Sequence, residues 1–311
     1  MAIFLGFDAG ATKTDCVLID GTGRLLSEAR GGGANPLRSG FAKACGVLGE
    51  SAQRALAEAH ERAESVRALC AGIAGAGRPR VARRVQSYFS HAFPQSVIRV
   101  TTDIEIALEA GLGEDAGIVV IAGTGSAACG RNSGGQYARA GGWGPWIGDD
   151  GSAYDIGRRA VYAALRARDS AAPASSLAEK ILLAEKARDW DVLIERVARR
   201  ADKIFPQLFA VVREAADEGD AMAQEILTTS AKSLATLAQS VIEKLGMREQ
   251  VFSLVKSGGA FGHSTRFDSA LEDEIMRVAP GARPASLRIS PARAAAEMAR
   301  KSLGNVAAHG A

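Results

Sequence analysis

The chain has 311 residues, of which 47% are hydrophobic and 23% charged, so it can bury a large core and is not a disordered chain. The net charge of +3 is spread along the chain without a basic block, and no apolar run is long enough to cross a bilayer, so we expect neither a nucleic acid nor a membrane as partner. Four widely spaced cysteines without a CxxC pair argue against zinc, iron–sulfur and disulfide frameworks, and together with the absence of a leader-like start they predict a cytoplasmic protein.

The residue pattern of the first half predicts an alternation of strands and helices. Three strands open the chain as a meander, at Ile3–Asp8, Thr14–Asp20 and Arg24–Ala29, with the Asp20-Gly21 pair marking a hairpin turn. Helical spacing of apolar residues follows at Phe41–Ala63. A strand at Val66–Ile73, a helix at Pro79–His91 and a strand at Val97–Thr101 complete this half.

The second half repeats this order. Strands are predicted at Gly117–Gly123, Ser126–Asn132 and Gln136–Ala140, and helices over most of Ser152–Ala279, the longest at Ala221–Leu245. Further strands are predicted at Val251–Lys256 and Leu287–Ile289, and a final helix at Pro291–Leu303. The order βββαβαβ therefore occurs twice, the second time with a helical insertion at 152–246, and two such halves would form a ligand cleft between them.

Glycine is concentrated where the chemistry is expected, since 27 of the 35 glycines precede residue 158. The segment Asp8–Thr14 lacks the Gly before Lys13 and the following helix that a P-loop requires, so it is read as a hairpin turn whose backbone and polar side chains could bind an anion. Ile121–Ser126 occupies the same position in the second half. Two such turns could hold one polyphosphate, although each alone is compatible with an ordinary polar hairpin.

Three further segments contain residues that could act in catalysis or ligand binding, and each also has an ordinary structural interpretation. Asp103 follows a strand, where it could serve as a general base for phosphoryl transfer or, with Thr102, as a helix N-cap. Gly141–Ser152 combines glycines, two of the three tryptophans and two aspartates, a mixture suited to a sugar or to a capped helix with Trp packing. Lys256–Gly262 could carry an adenine on a flat glycine backbone or form a simple strand-to-helix turn.

Taken in order, the motifs DAGATKT, TTD, IAGTGS, GGWGPWIGDDGSAYDIG and SGGAFG resemble those of the N-acetylglucosamine kinase and BadF/BcrA-type ATPase family. The resemblance covers nearly the whole chain and implies the sugar kinase–Hsp70–actin fold. That fold consists of duplicated actin-like, ribonuclease H-like α/β domains around a cleft, here residues 1–116 and 117–311. The resemblance also implies that a helix at 291–305 packs back on the first domain.

The resemblance further implies roles for residues at matching positions. Asp103 would be the catalytic base and also contact the sugar, and Asp8 would position Mg²⁺ through water. The remaining matched residues bind ATP (Asp8, Gly10, Thr12, Lys13 and Thr14 in the first phosphate loop, Gly123, Thr124, Gly125 and Ser126 in the second, Gly258 and Gly259 at adenosine) or the sugar (Asn35, Gly142, Trp143, Gly144 and Asp149). Pro145-Trp146-Ile147 departs from the family's sugar loop, which leaves the sugar preference open.

The sequence therefore predicts an ATP- and Mg²⁺-dependent kinase that phosphorylates the 6-hydroxyl of an amino sugar, most simply N-acetylglucosamine, and the resemblance makes a homodimer plausible. Glucosamine, N-acetylmuramic acid, N-acetylmannosamine and glucose are alternative acceptors. A nucleotide-dependent regulator or activator without kinase activity is the alternative from another class. The cysteines lack the pattern that the iron–sulfur branch of the family uses.

Overall fold

The computed structural model describes residues 2–170 and 175–308. The chain divides into two compact units, one formed by Met1–Glu114 with Leu287–Ala311 and the other by Asp115–Ser286. Each unit holds one five-stranded sheet with helices packed on it.

The sheet of the first unit is a mixed sheet with the order β3-β2-β1-β4-β5. Its strands are β1 (Ile3–Ala9), β2 (Lys13–Asp20), β3 (Leu25–Gly32), β4 (Val66–Ile73) and β5 (Val97–Thr101). The first three form an antiparallel meander, whereas β4 and β5 run parallel to β1. The carboxyl ends of the parallel strands therefore meet at one edge, where Asp8 pairs with Gly72 and Gly72 with Thr101.

Helices cover both faces of this sheet. They are α1 (Pro36–Ser39), α2 (Phe41–Glu58), α3 (Pro79–Ala92), α4 (Asp103–Leu112) and the C-terminal α10 (Pro291–Ala308), with a short 3-10 turn at Ala63–Ser65. On one face, Leu48 of α2 and Phe89 of α3 lie in a cluster with Phe7. On the other, α10 contributes a buried stripe of alanines at helical spacing (Ala292, Ala295, Ala296 and Ala299).

Small side chains let α10 approach β1 very closely. A Cβ added at Gly6 would lie 2.2 Å from both the carbonyl oxygen of Ala292 and the amide nitrogen of Ala296. Both of these atoms are helix backbone, so neither can rotate away. Gly6 therefore sets the distance between the C-terminal helix and the sheet.

We expect Gly6→Ala to lower the free energy of unfolding by about 3 kcal/mol, because the methyl group forces α10 off the sheet. Gly32→Ala is the matched control, since a Cβ at Gly32 meets nothing within 4 Å, and it should change stability by less than about 0.5 kcal/mol. Urea denaturation of the two variants measures both values. Equal stability of the two variants would contradict this account of the helix–sheet contact.

The sheet of the second unit repeats the first. Its strands are β6 (Gly117–Ala122), β7 (Ser126–Arg131), β8 (Tyr137–Gly141), β9 (Phe252–Ser257) and β10 (Ala282–Ala285). The order β10-β9-β6-β7-β8 matches the first sheet when read from the other edge. Here too the first three strands are antiparallel, while β9 and β10 are parallel to β6.

The helices of the second unit are α5 (Ala153–Asp169), α6 (Ser176–Ala184), α7 (Trp190–Asp217), α8 (Ala221–Lys244) and α9 (Thr265–Val278). Polar side chains cap α5, α7 and α8 at their N-termini, from Ser152, Asp189 and Asp220 respectively. The long α7 is kinked, with non-helical backbone at Arg200 and a proline at position 206, which supplies no amide hydrogen.

These two sheets confirm the predicted duplicated α/β architecture. The predicted bounds of β4 and β5 agree with the structure. The predicted strand at Leu287–Ile289 is wrong, because the fifth strand of the second sheet lies at β10 instead. That strand contains Pro284, which a strand tolerates at the edge of a sheet. Of the predicted helical region, residues 171–174 lie outside the described residues.

In the described residues, no helix is long and apolar enough to cross a membrane. All four cysteines (Cys16, Cys45, Cys70 and Cys129) are buried and unbridged. Nor do the described side chains include a group of three or more His, Cys, Asp or Glu residues able to hold a metal ion by themselves.

Candidate active site

The first predicted phosphate loop is the turn between β1 and β2. Its ends are joined by a hydrogen bond of 2.9 Å from the amide of Gly10 to the carbonyl oxygen of Lys13. The residues that follow β3 lie against this turn, since the amide of Ala34 donates to the carbonyl of Gly10 at 3.0 Å and a Cβ on Gly33 would lie 2.0 Å from the carbonyl oxygen of Ala11. The chain that leads to Asn35 therefore packs against the backbone of the first phosphate loop.

Asn35 is the N-cap of α1, where its Oδ1 accepts a hydrogen bond of 2.9 Å from the amide of Leu37. The loop after β4 lies close to the same side chain, because a Cβ added at Gly75 would lie 3.1 Å from Asn35 Oδ1. That loop is itself tied to the end of β1 by the hydrogen bond from the amide of Ala74 to the carbonyl of Ala9, 2.9 Å long. Asn35 thus lies at the same edge of the sheet as the first phosphate loop.

The side chains of this loop differ in exposure and in their hydrogen-bond partners. Thr12 and Lys13 are exposed, and Lys13 Nζ lies 2.8 Å from Asp15 Oδ2, while Arg30 Nε contacts the other oxygen of Asp15 at 2.7 Å. Exposed ion pairs of this kind are weak, so an anion could take the place of Asp15 beside Lys13. Thr14 differs from the other two, because its side chain is buried and its hydroxyl finds no hydrogen-bond partner within the described part of the chain.

The structure separates the two roles that the sequence left open for the residues after β5. Thr102 is the N-cap of α4, and its hydroxyl accepts a hydrogen bond of 3.1 Å from the amide of Glu105. Asp103 is instead the first helical residue, and its Oδ1 accepts from the amide of Ile104 at 3.1 Å. Because Thr102 caps the helix, the Asp103 carboxylate is not required for that purpose.

Asp8 and Asp103 influence each other electrostatically. Burial at the end of β1, followed by the negative charge of Asp103, raises the pKa of the Asp8 carboxyl to about 7, although the nearby Lys13 opposes the shift. A carboxyl with such a pKa is half protonated near neutral pH. A cation bound close to both aspartates would relieve the repulsion between them and favour the ionised form of Asp8.

This shift predicts a pH dependence of stability. The pKa of Asp8 is about 7 in the folded chain against an ordinary value of 3.8, so between about pH 4 and 7 the folded state holds a proton that the unfolded state has released. Stability should therefore fall as the pH rises through this window. We expect Asp8→Asn to flatten the fall and to be more stable than the wild type at pH 8 by about 2 kcal/mol, a value that allows for partial solvent screening.

Urea denaturation between pH 4.5 and 8 without nucleotide and with a chelator measures the effect. Asp15→Asn is the matched control on the neighbouring strand. Burial alone would raise the pKa of Asp15, but hydrogen bonds from Lys13 and Arg30 outweigh burial and lower it. Its own contribution is therefore lost only below about pH 4. Since its charge is the smallest of the influences that raise the pKa of Asp8, the slope at higher pH should persist, slightly reduced, in Asp15→Asn. An unchanged slope in Asp8→Asn would overturn the assignment.

The second predicted phosphate loop is the turn between β6 and β7. The amide of Gly123 donates to the carbonyl of Gly125 at 2.9 Å, and the carbonyl of Gly123 accepts from the amide of Ala153 at the start of α5, also at 2.9 Å. The hydroxyl of Ser126 donates to the carbonyl of Asp150 at 2.7 Å. This turn is thus anchored to the loop that runs from β8 to α5, which contains the predicted sugar-binding residues.

Asp149 connects these two loops. Its side chain is buried, its backbone has a positive φ of 62°, and its Oδ1 accepts a hydrogen bond of 3.3 Å from the amide of Gly144. A Cβ added at Gly125 would lie 2.7 Å from Asp149 Oδ2. Ser152, and not Asp149 or Asp150, caps α5. Residue 125 must therefore be small for the carboxylate to lie against the turn.

The aromatic residues of this loop are exposed. Trp143 is 58% exposed, and the guanidinium of Arg139 lies 4.9 Å from the centre of its ring. Trp146 and Ile147 are 80% and 82% exposed, on a tight turn closed by the hydrogen bond of 2.9 Å from the amide of Gly148 to the carbonyl of Gly144. Flat exposed rings beside a carboxylate are suited to the C–H faces and hydroxyls of a sugar.

The predicted adenosine segment follows β9. Gly258 has a φ of 113°, and a Cβ there would lie 2.3 Å from the carbonyl oxygen of Ala122, which also accepts a hydrogen bond of 3.0 Å from the amide of Ala260. A Cβ on Gly259 would meet nothing within 4 Å. A Cβ on Gly123 would lie 4.0 Å from the amide nitrogen of Gly259. The glycine pair therefore lies directly beside the second phosphate loop.

Within the first unit, the structure brings Asp8, Gly10, Asn35 and Asp103 to one edge of the sheet. Within the second, the turn from Gly123 to Ser126 meets both the Gly142–Asp149 loop and the Gly258-Gly259 pair. Asp155, which was not among the predicted site residues, is buried, accepts from the amide of Gly151 at 3.0 Å and is held by Arg158 and Arg159. It lies three residues after a typical helix cap, a position that could have indicated a capping role.

The first unit also has a local excess of positive charge, contrary to the expectation of evenly spread charge. Residues 66–102 contain six arginines and no acidic residue. The overall charge of +3 conceals this, because acidic residues elsewhere compensate. A count of charge in windows along the sequence would have revealed it.

Residues 5–299 match the model of the BadF/BadG/BcrA/BcrD ATPase family. The chain is 33% identical over 265 residues to an N-acetylmuramic acid/N-acetylglucosamine kinase of Clostridium acetobutylicum, an alignment that covers 85% of this chain and 87% of the relative. It is 30% identical over 313 residues to the N-acetyl-D-glucosamine kinase of Dictyostelium discoideum, covering 96% and 98%.

The fold has matches among solved structures as well. A candidate N-acetylglucosamine kinase from Chromobacterium violaceum superposes with a TM-score of 0.77 at 23% identity, covering 96% of this chain and 99% of the other. At that identity the likeness establishes the fold alone.

Proposed function

Because this chain belongs to the BadF/BadG/BcrA/BcrD ATPase family, as its motifs predicted, we propose that it is an ATP-dependent sugar kinase that transfers the γ-phosphoryl group to the 6-hydroxyl of N-acetylglucosamine. The curated relatives support both the class of activity and the acceptor, since two of them, at 30% and 33% identity, are named as N-acetylglucosamine kinases. The observation that supports the mechanism is the position of Asp103, a carboxylate at the edge of the sheet whose charge raises the pKa of Asp8, on a helix that Thr102 caps.

In this mechanism Asp103 accepts the proton of the attacking hydroxyl, which makes the oxygen a better nucleophile as the phosphoryl group is transferred. Asn35, Trp143 and Asp149 bind the sugar and hold that hydroxyl in place. The glycine-rich turns after β1 and β6 bind the phosphates through backbone amides, and Lys13 adds a positive charge. Gly258 and Gly259 bind the adenosine.

Asp8 is the residue suited to Mg²⁺. Its carboxyl lies close enough to Asp103 for the two charges to repel each other, and carboxylate oxygens are ligands that Mg²⁺ prefers. Since no larger acidic cluster occurs in the described part of the chain, the ion would be held by Asp8, water and the phosphates of ATP. Bound there, Mg²⁺ supplies charge neutralisation at the β- and γ-phosphates.

The test is ADP release with N-acetylglucosamine, glucosamine, N-acetylmuramic acid, N-acetylmannosamine or glucose as acceptor, followed by identification of the phosphorylated carbon. We expect N-acetylglucosamine to stimulate ADP release and to yield the 6-phosphate. ATP hydrolysis that ignores every sugar would contradict the proposal and favour a nucleotide-dependent regulator. The homodimer and the cytoplasmic location remain predictions.

A further inference from the structure

The backbone proposed to bind adenosine is rich in glycine and must be held in place by other residues. We call residues 258–262 the adenosine segment. Three of its five residues are glycines, and Gly258 and Gly262 have positive φ angles of 113° and 76°. Glycine loses more conformational freedom on folding than any other residue. Contacts from outside the segment must therefore fix its shape.

Three successive amides of the adenosine segment donate hydrogen bonds. The amide of Ala260 donates to the end of β6 at 3.0 Å, and the amide of Phe261 donates to the carbonyl of Gly258 at 3.3 Å. The amide of Gly262 donates to Oδ2 of Asp268 at 2.9 Å. Of these three hydrogen bonds, only the last is accepted by a side chain. Asp268 therefore closes the segment at its far end.

Asp268 lies in the first turn of α9, and Lys256, near the end of β9, faces it. Lys256 Nζ lies 3.8 Å from Asp268 Oδ1 and 2.6 Å from Glu272 Oε1, and the three side chains are only 16–24% exposed. Asp268 Oδ1 is buried and has no hydrogen-bond partner among the described residues. Since carboxylates four residues apart on a helix repel each other, Lys256 supplies the positive charge that keeps Asp268 in place.

Aromatic contacts join the same three parts of the chain. Lys256 Nζ lies 5.8 Å from the centre of the Phe261 ring, and that ring lies 5.8 Å from the ring of Phe267 in α9. The strand before the adenosine segment, the segment itself and the helix after it are thus connected by side chains. The sequence motifs indicated only the glycines of this arrangement.

We propose that Asp268 is a positioning residue for the nucleotide, which acts through the amide of Gly262 and holds the exposed backbone of Gly258 and Gly259 in the shape that binds adenosine. This inference rests on the proposed ATP-dependent function. A segment that already has its binding shape loses less freedom when the ligand arrives, so the affinity is higher. The phosphates bind at the glycine-rich turns, so their affinity should not depend on Asp268.

Two ligands separate adenosine from phosphate. Inorganic pyrophosphate has the two linked phosphates of ADP but no adenosine. Calorimetry measures the Kd of each, with Mg²⁺ present, for the wild type, for Asp268→Ala, for Asp268→Asn and for Asp273→Ala. Asp273 is the matched control, an exposed acidic residue on the same helix. Circular dichroism checks that each variant is folded, and if Asp268→Ala does not fold, Lys256→Met replaces it.

We expect Asp268→Ala to raise the Kd of ADP by at least about tenfold, the loss of a hydrogen bond to a charged group, and to leave that of pyrophosphate within about twofold. Asp268→Asn keeps an oxygen that accepts from Gly262, so it should stay within about threefold of the wild type. Asp273→Ala should change neither value. In the kinase assay, Asp268→Ala should raise KM for ATP by the same factor as the Kd of ADP and leave KM for the sugar unchanged.

Three results would overturn the inference. The first is an Asp268→Ala variant that binds ADP as the wild type does. The second is an equal loss of ADP and pyrophosphate affinity, which would indicate a general distortion of the unit. The third is an Asp268→Asn variant as weak as Asp268→Ala, which would exclude the hydrogen bond from Gly262 as the cause. A wild type that binds no ADP at all would instead refute the proposed function itself.

Discussion

Asp103→Asn is expected to lower kcat for sugar phosphorylation by about a thousandfold, the middle of the range that general base catalysis contributes. The amide has nearly the shape of the carboxylate but cannot accept the proton of the attacking hydroxyl. Because Thr102 caps α4, the helix should keep its start and the variant should fold. ATP affinity, measured by calorimetry, should change by less than about twofold, since the proposed phosphate-binding groups are untouched.

A second readout of the same variant is independent of turnover. The charge of Asp103 contributes to the raised pKa of Asp8, so removing it should lower that pKa and reduce the fall in stability between about pH 4 and 7. Glu109→Gln is the control, because Glu109 is an acidic residue further along α4 that pairs with Lys301. It should retain kcat within about twofold. Near-normal phosphorylation by Asp103→Asn would exclude Asp103 as the base.

The sequence was most informative where apolar runs end in turn residues. Val66–Ile73 is mostly apolar, and Val97–Thr101 is rich in β-branched residues. Each follows a serine and is followed by small or polar residues, so their bounds could be read directly. Asp103 could be singled out for the same reason, since it follows such a run. Local pattern was enough because these strands obey ordinary strand propensities.

Features that depend on contacts between distant segments could not be predicted. Both Thr102 and Asp103 are good cap residues, and only the backbone path after β5 decides that Thr102 is the cap. The edge strand β10 contains a proline and two exposed residues beside it, so it lacks a strand pattern, whereas the alternating Leu287–Ile289 has one without pairing. Gly33 likewise lies against the carbonyl of Ala11 only because the antiparallel pairing of the first three strands brings the two segments together, which neither segment indicates alone.

The local excess of positive charge could not be predicted from the overall composition, for a different reason. A sum over the chain averages regions of opposite sign, and the acid-free stretch 66–102 disappears in a total of +3. What matters for a ligand is the potential at one surface, which exposed charges determine only over about a Debye length of 8–10 Å. The exposed arginines at the start of α3 form such a local surface, which a total over the chain conceals.

Gly258→Ala should produce the largest combined loss of stability and nucleotide binding. The backbone at Gly258 has a φ of 113°, which an alanine adopts only with strain, and the added Cβ would lie 2.3 Å from the carbonyl oxygen of Ala122. Strain and overlap together should cost about 4 kcal/mol in the free energy of unfolding. Relief requires the glycine pair to move away from β6 and from the second phosphate loop.

That movement should also weaken the binding and use of ATP. The amide of Ala260 would lose its hydrogen bond to Ala122, and the proposed adenosine segment would shift relative to the Gly123 turn that lies beside it. Displacements of about 1 Å between binding groups can cost roughly a hundredfold, so we expect kcat/KM for ATP to fall by that order. Kinetics below the unfolding temperature, with the folded fraction measured by circular dichroism, separate this effect from simple unfolding.

Gly219→Ala separates backbone strain from the overlap. Gly219, in the turn between α7 and α8, has a φ of 96°, but a Cβ there would meet nothing within 4 Å. This variant should lose only about 1–2 kcal/mol of stability and none of its affinity for ATP. If Gly258→Ala resembled it in both respects, the contact with Ala122 would not matter for folding or for the nucleotide. A much larger loss in Gly258→Ala, with ATP affinity lost as well, would place the nucleotide against the backbone that joins β9 to the second phosphate loop.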